Sequence, residues 1–311
     1  MRQFIVRRLG LLLLVVFGVV TVTFLLVRAA PGDPATTYLG DKATPDQISA
    51  LRKEWGLDQP IFVQYVQFLF EIVTGNLGRS LFFHASNLEL ISNRLPTTLL
   101  LMVMSIVIAA VISLPLATWI AVRGRGGSDV FVRIFNALAL GLPTFLIGLL
   151  LIILFGLTLK WFPVGGFGTT FGQQLYSLVL PSISIAVGFV PLLVNSLRES
   201  LGGALRSDFV AFAYSKGLTP FRVLSAYVIR NGIISAVTIL GLRAGGLVGG
   251  SLVVENIFNL PGLGTMMLSG ILNRDFPVVQ SVTIVYAVLV VLVYLLTDLL
   301  YAFIDPRVEL A

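Results

Sequence analysis

Six stretches of this chain run close to a bilayer's thickness or longer with at most one charged side chain, and nothing else restricts its fold as strongly. They lie between Arg8 and Arg28 (19 residues), Arg94 and Arg123 (28), Arg133 and Lys160 (26), Lys160 and Arg198 (37), Arg230 and Glu255 (24, interrupted by Arg243) and Asp275 and Asp298 (22). A helix needs about 20 mostly apolar residues to cross hydrocarbon, where no water is available to bond an exposed backbone. The pattern predicts an all-α polytopic membrane protein with six transmembrane helices. A water-soluble domain is excluded, because only 12% of the 311 residues are charged and the mean hydropathy is +0.96, whereas soluble domains are about 25% charged. In the fourth interval the stretch WFPVGGFGTTFGQQLYS, rich in Gly, Gln and Thr, reads as a loop and leaves a helix from about Leu178 to Ser196.

The first interval follows Arg2, Arg7 and Arg8 and invites comparison with a cleaved signal peptide. A signal core is about 7–15 residues and this run is longer, so a retained span is expected. With the N-terminus inside, cytoplasmic stretches carry twelve basic and five acidic residues, and the opposite side eight and nine. That asymmetry follows the positive-inside rule and places both termini in the cytoplasm. The net charge of +6 is thereby accounted for by topology, and no nucleic acid partner is implied. Three parts are expected: 1–30, the cytoplasmic N-terminus and first helix; 31–94, an extracytoplasmic segment with short helices; and 95–311, a five-helix transmembrane core with a cytoplasmic loop at 198–230. Within the second part, Ile61 to Val73 is apolar but short for a span and reads as an interfacial or re-entrant helix.

The loop RESLGGALRSDFVAFAYSKGLTPFRVLSAYVIRNG reads as helix, tight turn, helix. Asp208 favours a helix N-terminus, Gly217 suits the residue past a C-cap, and Thr219 with Pro220 is an N-cap followed by Pro at the first helical position. Phe209, Phe212 and Ala213 form a greasy face beside Ala211, Tyr214 and Lys216. The pattern alone leaves two uses open: docking a partner surface, or lying flat on membrane lipid anchored by Arg206, Lys216 and Arg222.

At this point the chain resembles the permease subunits of ABC importers for dipeptides, oligopeptides and nickel. The likeness is carried by FIVRRLG at the start, APGDPA at 30–35, RLPTTLLL at 94–101, LPTFLIG at 142–148, VVENIFNLPGLG at 253–264, RDFPVVQ at 274–280 and TDLLYAFIDPR at 297–307. The resemblance implies a type I ABC importer permease fold in the inner membrane of a prokaryote. It implies a second homologous permease subunit, two ATPase subunits that carry the ATP and Mg²⁺, an extracytoplasmic substrate-binding protein, and a short peptide as cargo. No cofactor and no enzyme activity are expected of this chain. The cytoplasmic loop resembles the family's E-A-A-x-x-x-G segment, which docks into a groove on the ATPase. Aligned on Gly217, Ala211 and Phe212 stand where that segment has Glu and Ala, Ala213 and Gly217 agree, and NGIIS at 231–235 lacks the later proline. The resemblance favours docking, with Asp208, Ala211, Phe212, Ala213, Lys216, Gly217, Thr219 and Pro220 as the coupling surface.

No G-x-x-x-x-G-K-[ST] loop occurs; GGLVGGS at 245–251 lacks its lysine and lies in an apolar interval. Gly241, Gly245 and Gly249 instead form a small-xxx-small stripe of the kind that packs helices closely, within the chain or against a second permease. Arg243 falls about 180° around the helix from that stripe at roughly 100° per residue, and a charge so deep marks a pathway residue or a structural ion pair. Asp298, its nearest candidate partner in the sixth interval, differs in depth by roughly 10 Å and is expected to cap the inner mouth. Glu255, Pro261, Gly262 and Gly264 border a turn-rich connection that the resemblance assigns to an outer gate or to binding-protein contact. His84, the only histidine in a chain without cysteine, forms no metal site of the usual kind. The rival classes are an ion-driven secondary transporter using Arg243, and a membrane hydrolase, which lacks a Ser-His pair within the bilayer.

Overall fold

A computed structural model describes residues 2–29, 34–39, 43–123, 134–137, 139, 141–242 and 244–304. The described residues are helical throughout, apart from turns and one isolated bridge between Arg79 and Ser86. They are α1 Arg2–Ala29, α2 Pro34–Leu39, α3 Pro45–Glu54, α4 Ile61–Val73, α5 Asn87–Arg123, α6 Thr144–Leu151, α7 Phe171–Leu205, α8 Asp208–Ser215, α9 Pro220–Val223, α10 Ile229–Leu242, α11 Ala244–Ile257, α12 Leu263–Leu272 and α13 Phe276–Ile304. Two π-helical stretches extend α6 over Ile152–Thr158 and α9 over Leu224–Val228. Among the described residues four helices are long and apolar enough to span a bilayer: Gly10–Ala29, Asn87–Arg123, Phe171–Leu205 and Phe276–Leu300. The third interval contains α6 and its π-helical extension, and the fifth contains the 14-residue helices α10 and α11 on either side of position 243.

The chain forms two compact units, one of 97–261 with 292 onward, the other of 2–96 with 262–291. The first is organised around α7, which packs against α6, α10 and α11. Of its most apolar stretch 72% is buried, so α7 is a core helix as well as a candidate span. Leu193, Val194, Leu197 and Leu201 of α7 share one core cluster with Ala117 and Ile120 of α5, and Leu178, Leu180 and Ile185 share another with Leu247, Val254 and Phe258. Here the sequence-based loop at 161–177 is corrected. The helix begins at Phe171, where Thr170 and Gln173 form a capping box, and it continues past Ser196 to Leu205. The Thr-x-x-Gln signature of a helix start outweighs the local Gly content. Pro181 and Pro191 lie inside this helix without ending it, as membrane helices tolerate when neighbours satisfy the freed backbone.

In the second unit α4 is the short helix expected from the sequence, with the rings of Tyr65 and Phe68 at 5.2 and 5.5 Å from Phe24 of α1 and the hydroxyls of Tyr65 and Thr21 at 2.6 Å. Thr44 and Gln47 cap α3 reciprocally. The loop between α4 and α5 is pinned by a buried carboxylate at the start of α13. Asp275 accepts from Ser80 Oγ at 2.5 Å, from the Phe82 N–H at 3.0 Å and from the Val278 N–H at 3.3 Å. Nearby, Asn87 donates to the Leu77 carbonyl and to Ser281. Asp275→Ala removes the acceptor from two buried donors, each costing about 1–3 kcal/mol. Thermal unfolding of the purified variant should fall by several degrees, with proteolysis appearing first between residues 77 and 87; an unchanged melt would refute this bracing role.

Candidate functional site

The cytoplasmic loop of the sequence reading folds as α8, a left-handed turn and α9. The last helical N–H groups are spent by the end of α8, and its carbonyls need other donors. Gly217, at φ +75°, supplies the turn: its N–H bonds to the Tyr214 carbonyl at 2.9 Å and the Leu218 N–H to the Ala213 carbonyl at 3.3 Å. This is the six-to-one and five-to-two pattern of a Schellman motif, and it is the stop expected at that glycine. Thr219 has extended N-cap geometry before Pro220, but its side chain makes no capping bond.

The face of α8 differs from the expectation. Phe209, Phe212 and Ala213 do not lie together: Val210 and Ala213 are the buried pair, packed into the cluster that holds Leu197, Leu201 and Ala204 of α7. Phe209 and Phe212 turn outward with Asp208, Ala211, Lys216, Gly217, Thr219 and Pro220, all exposed. The reason is packing: at about 100° per residue Ala213 stands between Phe209 and Val210, and the smaller valine is the one taken into the α7 cluster. Lys216 Nζ stands 4.6 Å from the centre of the Phe212 ring. Phe221, which the sequence reading did not single out, is 80% exposed and extends the aromatic surface. Its signal was its place one residue after the N1 proline, with Val223 buried on the inner side. Val223 and Val228 anchor the second arm in the same core cluster. The exposed surface is thus mounted on buried valines. Beside it are two open grooves, one of about 500 Å³ lined by Glu199, Gly203, Ser207 and Phe209 and one of about 800 Å³ lined by Asn195, Arg198 and Arg206.

The glycine stripe divides. At Gly241 an added Cβ would come within 2.3 Å of Thr297 Cγ2, so α10 and α13 touch there at a distance only glycine permits. Gly245 and Gly249 meet nothing within 4 Å and are exposed, so within the described residues they serve no intrachain contact. Arg243 lies outside the described residues. Asp298 is half-buried on α13.

The connection after α11, from Phe258 to Gly262, is the turn-rich stretch expected, but it is more buried than an outer contact surface implies. Glu255, anticipated on an outer contact surface, is fully buried and accepts from Thr98 Oγ1 at 2.7 Å, because a carboxylate inside an apolar helix must find donors. Phe258 and Leu260 are buried, the Gly166 N–H bonds to the Phe258 carbonyl at 2.8 Å, and Gly148 approaches the Phe258 ring. Gly262 and Gly264 are buried too, and only Pro261 of the four is exposed. The residues from Leu263 to Leu272 form α12, whose charge-free run LGTMMLSGIL was the available signal. His84 is exposed at φ +53°, and no group of metal-binding side chains occurs among the described residues.

Comparison with known proteins places this geometry. Residues 113–310 match the family described as the inner membrane component of binding-protein-dependent transport systems, and residues 1–102 match the N-terminal region of such components. The dipeptide transport system permease protein DppB of Lactococcus lactis subsp. cremoris is 34% identical over 100% of both chains. The oligopeptide transport system permease protein AppB of Bacillus subtilis is 35% identical over 99% of this chain and 100% of its own. A chain from inward-facing structures of the MetNI methionine ABC transporter superposes with a TM-score of 0.55 at 17% identity, covering 70% of this chain and 96% of that one, and so shares its fold. The chain is therefore a transport subunit and not an enzyme, a member of the family of inner membrane components of binding-protein-dependent transport systems.

Proposed function

We propose that this chain is one half of the transmembrane pathway of an ATP-driven importer for short peptides, with six spans, both termini cytoplasmic, and α8 to α9 gripped by an ATPase subunit. The observation that carries the reading is the exposed aromatic and basic surface at 208–221, mounted on Val210, Ala213 and Val223 in the core cluster of α7. An amphipathic helix that buries one arc and presents another is built to enter a groove on a partner. Movement of that partner is passed on as rigid-body displacement, since packed side chains transmit strain instead of absorbing it. The relatives named as dipeptide and oligopeptide permeases support the cargo class.

In this reading the partners are two ATPases holding ATP and Mg²⁺, an extracytoplasmic substrate-binding protein, and a second homologous permease. The open Gly245 and Gly249 positions are where that second permease approaches. Arg243 and Asp298 belong to the pathway and its inner mouth. Asn259 and Pro261 are the exposed residues of the α11–α12 connection and are available to the binding protein, while Glu255, Gly262 and Gly264 hold its shape. The family assignment speaks against an ion-driven transporter.

Gly217→Val forces a branched side chain into a left-handed conformation, at a cost of roughly 1–2 kcal/mol or more, without a clash, since nothing lies within 4 Å of the new Cβ. Peptide uptake should drop at least about tenfold, which is 1.4 kcal/mol in an equilibrium constant, while membrane insertion stays intact. Full uptake would overturn the coupling assignment. Gly249→Leu should reduce recovery of the second permease with the tagged chain, leaving the chain's own insertion unchanged; undiminished recovery would remove that face from the pairing surface.

A further inference from the structure

The second unit contains a partly open cavity of about 620 Å³ lined by α1, α4, the loop after α4 and the start of α13. That is within the range of roughly 300–1,000 Å³ that holds small ligands. Helix α4 contributes Gln64, Gln67, Phe68, Glu71 and Ile72 to its wall, positions spaced as one helical stripe. The opposite arc, with Phe62, Val66, Phe70 and Val73, is apolar and exposed. A helix beside a membrane that turns amides and a carboxylate inward and its apolar arc outward is arranged for a polar occupant.

The charges in the wall are available to a ligand. Arg28 stacks its guanidinium 5.5 Å from the Phe24 ring centre, Arg79 reaches only the His84 carbonyl at 3.4 Å, and Glu71 has only Gln67 Nε2 at 3.4 Å. Among the described residues none of these three pairs with another. Gln64 donates through Nε2 to the carbonyls of Leu57 and Gln59, and its Oε1 is buried with no donor. Gln280 of α13 adds another amide to the wall.

Two cations, one carboxylate, the amides of Gln67 and Gln280 and the rings of Phe24 and Phe68 match a zwitterionic short peptide: ammonium to Glu71, carboxylate to Arg28 or Arg79, peptide groups to Gln67 and Gln280. We propose that this cavity is a peptide-binding site belonging to this chain alone, separate from the pathway shared with a second permease. The inference rests on the peptide-importer reading above. A zwitterionic lipid headgroup has the same two charges but lacks the peptide groups that the glutamines would bond, so the peptide is the occupant assigned.

The chain has no cysteine, so single-cysteine variants report one position each. The importer, assembled with its ATPases and second permease in phosphatidylglycerol nanodiscs without binding protein, is labelled with a thiol reagent at Gln67→Cys or Val73→Cys. Val73 is 85% exposed on the opposite arc. Trialanine at about ten times its Kd should slow labelling at position 67 roughly tenfold and leave position 73 unchanged. Equal rates with and without trialanine overturn the site, as does slowing at 67 produced by phosphatidylethanolamine and not by the peptide. Glu71→Gln should weaken the protection of position 67 by trialanine and leave its weaker counterpart, N-acetyl-trialanine, unaffected; identical protection by both peptides in both backgrounds removes Glu71 from the site. Trialanine uptake by the unmodified importer with its binding protein separates the two failures: uptake without protection sinks the cavity alone, and no uptake sinks the peptide reading from which it follows.

Discussion

Within the first unit the other helices take their places from the burial of α7. It is too apolar to face water and too enclosed to face lipid, so its surface is satisfied by α5, α6, α10 and α11. At close packing, a side chain buried on that surface has little freedom to shift alone. The helix also runs beyond its apolar stretch to Leu205, and only Arg206 and Ser207 separate it from α8. The element most buried in the core is therefore the one joined to the exposed aromatic surface, and the same valines serve both. Val210, Ala213, Val223 and Val228 hold α8 and α9 down, and under the proposed coupling the same contacts would carry any push applied there.

The second unit is held differently. Its fixed points are polar: the Asp275 carboxylate, the Asn87 amide and the Ser281 hydroxyl tie the loop after α4 to the start of α13. Polar bonds of this kind are directional, and a cavity can persist beside them because they hold backbone in place without filling space. The first unit packs leucine and valine around α7, and the second has about 620 Å³ walled by amides, rings and charges.

Much of this was legible in the sequence because membrane helices announce themselves by length and charge. The long spans, the short helix at Ile61–Val73 and the stop at Gly217 were read from apolar run length and from the conformational freedom of one glycine. What escaped was of two kinds. Helix starts that depend on side-chain bonds, such as Thr170 with Gln173, were hidden beneath Gly-rich composition. Burial was the other: Phe209 and Val210 are both apolar, and only packing against α7 decides that the smaller one goes inward. Glu255 shows the same limit, since a carboxylate near a turn reads as surface until Thr98 is found 2.7 Å away. The glycine stripe was read as one device and is two, a tight contact at Gly241 and open positions at Gly245 and Gly249.

The central claim is that the exposed surface around Phe212 and Lys216 is where energy from ATP enters this chain. Its most direct test is gentle affinity purification from the native membrane with amine-reactive cross-linking, followed by mass spectrometry of peptides joined to Lys216. The account predicts stoichiometric ATPase subunits bearing Walker motifs, a second permease chain, and cross-links from Lys216 to the ATPase. A homo-oligomer without ATPases, or ATPases whose cross-links avoid Lys216 entirely, would contradict it.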